Sequence, residues 1–267
     1  GSNRILNGNG IPNHEVGTFP NADNPNRITE QNVNKRFTLC PSVIYENGLE
    51  RILNGNGIPN HEVGTFPNNH NPNSIREQTV NKRFTLCPNI ISESGLEVVG
   101  PALVIAYALN SVKFDPGTAG RCNDQGVCSL AQGQGNWNIE ALGHDTFNFG
   151  DDMNHAHVQP NGAYHYHGIP ELLVDFLGDS EGMTLVGWAA DGFPVYARYG
   201  FSDPNDSTTK TIALKPSYRL KSQPDPNRPM VLTRLSGGPG QGTTPNTPIA
   251  MGAFTQDYEY VNGLGDL

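Results

Sequence analysis

The chain lacks several things. No apolar run approaches the roughly 20 residues that would span a bilayer, so no membrane-spanning helix is expected. Positive charge is scarce: 17 Lys and Arg stand against 26 Asp and Glu, giving a formal net charge of −9. A nucleic-acid partner, which needs a basic face, is therefore not expected. Common catalytic signatures are missing too: there is no Gly-X-Ser-X-Gly elbow, no phosphate-binding loop and no dinucleotide fingerprint. The acidic stretch Phe149–Asn154 does not have the spacing of an EF-hand loop. The chain opens on Gly1-Ser2 with no apolar leader, an absence that says little about export.

Charged residues make up only 16% and hydrophobic residues 36% of 267, a balance that suits a folded core rather than a charge-extended polymer. The 31 Gly and 21 Pro, with abundant Asn, supply turns. The fold class expected is mainly β: short strands, long Gly/Pro/Asn-rich loops and one or two short helices. Strands are expected at Arg36–Cys40, Arg83–Cys87, Ile90-Ile91, Val98-Val99, within Pro101–Leu109, at Val112–Phe114, Leu185–Ala190, Val195–Tyr199 and Phe254–Val261. Pro170–Leu177 reads as a short helix after a proline start, and Trp137–Leu142 as a helical turn. Ser236–Thr247 reads as a surface loop.

Residues 4–50 and 51–97 align without a gap and are identical at 38 of 47 positions by direct count. Two copies fall short of the three or so that a solenoid needs. The expected organisation is copy one in residues 1–50, copy two in 51–97 packed on the main domain, and a β domain in 98–267. Two near-identical segments compete for one docking place, so the spare copy either packs beside the first or self-associates with a neighbouring molecule through residues 1–97. His14 and His61 each sit in Ile-Pro-Asn-His-Glu, where a turn-forming role is expected; His70 stands where copy one has Asp23 and reads as surface.

Of the four cysteines, Cys122 and Cys128 flank a short polar loop that a disulfide would close, which points to an oxidising compartment. A secreted, periplasmic or cell-surface location follows. The partners of Cys40 and Cys87, at equivalent points of the duplication, are left open.

The chemistry concentrates in His155-Ala156-His157 … His165-Tyr166-His167. Residues two apart on a strand share a face. A three-residue loop at Pro160-Asn161-Gly162, with Gly in the left-handed position, places His157 opposite His165 and His155 opposite His167. Opposed Cβ atoms then lie about 4.5–5.5 Å apart, close enough for four imidazoles to converge on one metal. A two-residue loop at Asn161-Gly162 would instead turn the two pairs to opposite faces. The expected metal ligands are His155, His157, His165 and His167. Imidazole suits transition metals, copper first and zinc second here, and not calcium or magnesium. Four neutral rings leave the metal charge uncompensated, so a supporting carboxylate is expected from Asp151, Asp152 or Asp191, with His144 and Asp145 nearby. Asp191-Gly192-Phe193-Pro194 also reads as a turn between strands. Tyr164 and Tyr166 would project from the other face as core or wall.

The segment His155–Pro170, with Tyr164-His165-Tyr166-His167, resembles the defining motif of the bacterial YHYH domain family. Similar pieces are Gly57–His61, Asn71–Asn73, Val112–Pro116, Trp137 with Glu140–Leu142, and Ala190–Tyr196, so the resemblance covers roughly residues 51–200. Residues 4–50 look like an addition to it. The resemblance implies export and names no reaction. Three functions follow: a secreted metal-binding protein; a copper or zinc metalloenzyme, which needs an open coordination position that a closed four-histidine shell denies; or a structural or surface-assembly protein joined through the duplicated segment.

Overall fold

The computed structural model describes residues 3–8, 33–38, 42–89, 104–143, 146–178, 182–237 and 246–266. Ile90-Ile91, Val98-Val99, Cys40, His144 and Asp145 lie outside the described residues, as does most of Ser236–Thr247. The chain divides into two compact units, Gly1–Cys40 and Pro41–Leu267.

In the first unit, β1 (Asn3–Gly8) pairs antiparallel with β2 (Val33–Thr38). In the second, β3 (Ser42–Asn47), β4 (Glu50–Gly55) and β5 (Val80–Thr85) form an antiparallel sheet with β4 central. The duplication is visible in the register. Arg4 faces Phe37 and Ile5 faces Arg36, just as Arg51 faces Phe84 and Ile52 faces Arg83. β1 and β4 form at the Gly/Asn-rich start of each copy, where no strand is expected from the sequence. In copy two the reason is burial: Ile52 and Leu53 are buried, and Leu53 packs with Val80 and Phe84.

The sheet that positions the histidines is built from β6 (Ala106–Ala108), β7 (Lys113–Phe114), β11 (Ala156–Val158), β12 (Tyr164–Tyr166), β13 (Thr184–Ala189) and β14 (Pro194–Ala197), in the order β11-β12-β7-β6-β13-β14. All pairings are antiparallel except β12 with β7. A second sheet contains β8 (Arg121–Cys122), β9 (Val127–Ser129) and β10 (Trp137–Asn138), with Arg234–Ser236 parallel to β9.

One kind of loop makes four of these hairpins. In Ala108–Val112, Asn123–Val127, Gln159–Ala163 and Ala189–Phe193, the first N–H donates to the fifth carbonyl and the fourth N–H donates to the first carbonyl, at 2.7–3.0 Å. The fourth residue has positive φ each time: Ser111 (69°), Gly126 (72°), Gly162 (88°) and Gly192 (98°). Glycine takes that conformation without the Cβ clash other residues suffer.

Beyond the sheets, α1 (Glu171–Leu177) starts after Pro170 and ends at Gly178 with φ 91°, as expected for a proline start and a glycine stop. Trp137–Leu142 is not a helical turn. Trp137, Ile139 and Ala141 are buried in alternation, the two-residue period of an extended chain. Trp137 pairs with Cys122, and Ile139 bridges to Phe254. Cys122 and Cys128 form a disulfide across β8 and β9; Cys87 is exposed and unbonded to another cysteine.

On β12 the two faces part company. Tyr164 and Tyr166 point into a core with Ala156, Val158, Val112 and Leu173, covered by Val63, Phe66 and Ile75 of copy two. Burying each ring contributes about 2–3 kcal/mol of transfer free energy. His165 and His167 therefore face the opposite side.

Candidate metal centre

The hairpin register puts His157 opposite His165, with Ala156 opposite Tyr166 and Val158 opposite Tyr164. The Gln159 N–H donates to the Ala163 carbonyl, which closes the loop on Pro160-Asn161-Gly162 and excludes the two-residue register. His157, His165 and His167 come together. Their ring centroids stand 4.5–4.7 Å apart, and one ligand nitrogen from each lies within 4.8 Å of the others. All three are buried.

His155 does not join them, because it is not in the strand. It occupies the fourth position of a tight turn, Asp152–Ala156, that uses the same pair of hydrogen bonds as the four hairpin loops. With φ 53° it takes the left-handed conformation, so the two-residue alternation that should place it beside His157 does not apply. Its Nδ1 lies 2.8 Å from the Ile169 carbonyl.

The outer nitrogens of the three clustered rings fix their tautomers. The Nδ1 of His157 is 2.5 Å from Asp151 Oδ1, that of His167 is 3.1 Å from the Pro116 carbonyl, and that of His165 is 3.2 Å from the Ala163 carbonyl. Each partner is an acceptor, so in the neutral ring each Nδ1 carries the proton and each Nε2 carries a lone pair. In that neutral form the Nε2 atoms of His157 and His167 face each other at 3.3 Å, lone pair to lone pair. Two ligands about 2.0–2.1 Å from one tetrahedral ion stand about 3.3–3.4 Å apart. Burial, and next the neighbouring His157, push His167 down to about 4 and His165 well below the usual histidine range; Lys113 adds to the second effect. His165 and His167 therefore resist protons.

Of the carboxylates named from sequence, Asp151 is the one at the cluster. Asp152 is used elsewhere: its Oδ2 accepts from Tyr164 Oη at 2.8 Å and from the Gly64 N–H, and its Oδ1 accepts from the Asn154 N–H. Asp191 sits exposed in its turn, against the Phe193 N–H. The tyrosines of the motif are structural. Tyr166 Oη accepts from Asn110 Nδ2 and donates to His61 Nε2 at 2.6 Å, since His61 Nδ1 is held by the Glu62 carbonyl. His61 thus does more than shape a turn; it ties copy two to the hairpin.

A cleft of about 420 Å³ opens on the three rings, walled by Leu130, Phe149 and Val158 and by polar Gln159 and Asp115, with exposed His70 also lining it. Phe149 stacks on His157. Sequence reasoning missed Asp115 as a site residue. The parallel pairing sets Lys113 beside His165 and, one step on, Asp115 beside His167, with the Asp115 N–H donating to the Tyr166 carbonyl. Only the alternation of Lys113 and Asp115 along a strand hinted at it.

The sequence model of the YHYH protein family matches residues 83–267. The match starts later and runs further than the resemblance over 51–200 suggested, so the Gly57–His61 and Asn71–Asn73 pieces lie before it. Neither a curated protein nor a solved structure matches the chain.

Proposed function

The chain belongs to the YHYH protein family, and we propose that it is an exported metal-binding protein holding one zinc or copper ion on the Nε2 atoms of His157, His165 and His167. The observation that carries this reading is the facing pair of lone-pair nitrogens, His157 Nε2 and His167 Nε2, at tetrahedral spacing in a buried three-imidazole cluster. Asp151 behind His157 is the kind of supporting carboxylate that orients a ligand ring and offsets metal charge. The Cys122–Cys128 disulfide supports export. Among the described residues no helix is long and apolar enough to cross a membrane. Capture or delivery of the metal is the task this reading favours. Elemental analysis of the purified protein and of a His157→Ala/His165→Ala variant tests it. About one copper or zinc per chain, absent from the variant, names the metal; no transition metal after incubation with both ions removes the reading.

A second reading concerns self-association. Copy two bonds the Asn110-Ser111 turn through Gly57 and Asn60, the stretch before the hairpin (Gly150, Asp152) through Gly64 and Asn68, and the histidine hairpin itself through His61, Asn71, Asn73 and Gln78. Copy one repeats every one of these copy-two residues, in chain order as Gly10, Asn13, His14, Gly17, Asn21, Asn24, Asn26 and Gln31. We infer that copy one is a spare docking element for a second molecule of the chain. Light scattering of the intact chain and of a chain lacking residues 4–50 tests this: larger species confined to the intact chain support it, and identical masses per chain count dismiss it.

A further inference from the structure

Asp115 has one oxygen accounted for and one that is not. Its Oδ2 takes the Lys113 ammonium at 2.8 Å and the Gln159 amide N–H at 3.3 Å, and Lys113 in turn reaches Gln159 Oε1 at 2.9 Å. These contacts fix the plane of the carboxylate. Its Oδ1 is buried and has no hydrogen-bond partner among the described residues. A buried acceptor left without a donor is uncommon and calls for a donor of some kind. The same residue lines the cleft that opens on the three histidines, beside His167. Its carboxylate falls outside the set of ligand atoms within 4.8 Å of one another. It is therefore not one of the direct ligands of an ion at the three rings, and any link to such an ion runs through an intervening molecule.

We propose that Asp115 Oδ1 accepts a hydrogen bond from a protic ligand carried by the metal at its fourth position, so that the centre exchanges small ligands bearing O–H or N–H groups. The inference rests on the three-histidine metal reading. It makes the cleft a binding site: largely apolar walls with a metal and a carboxylate at the base suit water at rest, and in its place a small alcohol, phenol or amine with an apolar body. An anion without a proton is disfavoured, because it would set two acceptors against each other.

The test uses cobalt(II), which reports its ligands in the visible spectrum, with azide as the probe. Replacing Asp115 by Asn turns the preference around. The new amide oxygen faces Lys113 Nζ, and the amide N–H faces the metal's ligand as a donor. Expected is about one cobalt per chain in wild type, Asp115→Asn and Asp115→Ala, with azide held about tenfold more tightly by the Asn variant than by wild type, the scale of one charge-assisted hydrogen bond. Equal azide affinity in wild type and Asp115→Asn, with cobalt held by both, overturns the proposal. So does a wild-type cobalt spectrum that azide never perturbs, a result that needs no variant to fold. Loss of cobalt from both folded variants makes Asp115 a direct ligand and overturns it as well. No cobalt in wild type removes the metal reading itself, and this inference with it.

Discussion

His157 and His167 present their Nε2 atoms to each other across 3.3 Å, while Asp151 and the Pro116 carbonyl hold the opposite nitrogens of the same two rings. Two aligned lone pairs in a buried setting repel, and a shared cation relieves them. The relation between these residues, more than the number of histidines in the hairpin, is what supports the proposed metal site.

It follows that the four histidines are unequal. His155→Ala is expected to keep one metal per chain, because that ring is held at the Ile169 carbonyl, outside the cluster. His167→Ala is expected to lose it, since two imidazoles remain. Metal content by elemental mass spectrometry on the two variants decides; loss of metal in His155→Ala would mean that the ring swings in on binding.

Asp151→Asn keeps the shape of the side chain but gives His157 Nδ1 a partner without the carboxylate charge. Metal affinity should fall by about 10–100-fold, the usual cost of losing such a support. Competition with a chelator of known affinity measures it. Asp152→Asn should behave differently. That residue ties Tyr164 and copy two to the hairpin, so its loss should lower folding stability while leaving affinity nearly intact.

The parts legible in the sequence were those governed by local rules. Pro160-Asn161-Gly162 narrowed its loop to two possibilities, and the three-residue form with a left-handed glycine in third place, which sets His157 opposite His165, is the one the structure adopts. Pro170 and Gly178 bracketed the helix for the same kind of reason. His155 was misread because the left-handed residue of its turn is a histidine, not a glycine, and nothing marked Asp152–Ala156 as a turn of the hairpin-loop kind. Asp115 was invisible for another reason: a parallel pairing between β12 and β7 joins residues some 50 apart, and no local pattern announces it. The start of each copy, rich in Asn and Gly, hid β1 and β4; in copy two, the Ile52-Leu53 pair that anchors the strand is only two residues long.

Removing the disulfide probes the second sheet. The bridge closes a loop of about seven residues, for which the chain-entropy relation gives about 2 kcal/mol. Cys122→Ala/Cys128→Ala should lower the urea midpoint accordingly. Metal stoichiometry should hold, since no residue of β8 or β9 lines the cleft and only Leu130 and Ala131, just after β9, reach its wall. Metal lost together with stability would show that this wall shapes the ligand geometry.

Acid should act on the metal-free protein through the cluster itself. His165 and His167 are held below the usual histidine value, His167 at about 4, chiefly by burial. Between that value and about 6.5 the unfolded chain binds more protons than the folded one, so stability rises with pH across this window. The contribution is complete above about 6.5 and disappears as pH falls towards 4. For His167 alone it amounts to roughly 3 kcal/mol as an upper figure. Urea titrations of metal-free protein at pH 7.5 and pH 5 should therefore give a clearly lower midpoint at pH 5. His167→Gln, which removes the titrating group, should narrow the gap. A metal-loaded sample should lose its ion over a lower range than the metal-free protein loses stability, because a bound ion holds the same lone pairs against protons. If the metal-free midpoint is the same at both values, protons enter the folded cluster freely, and the rings are less enclosed than their burial implies.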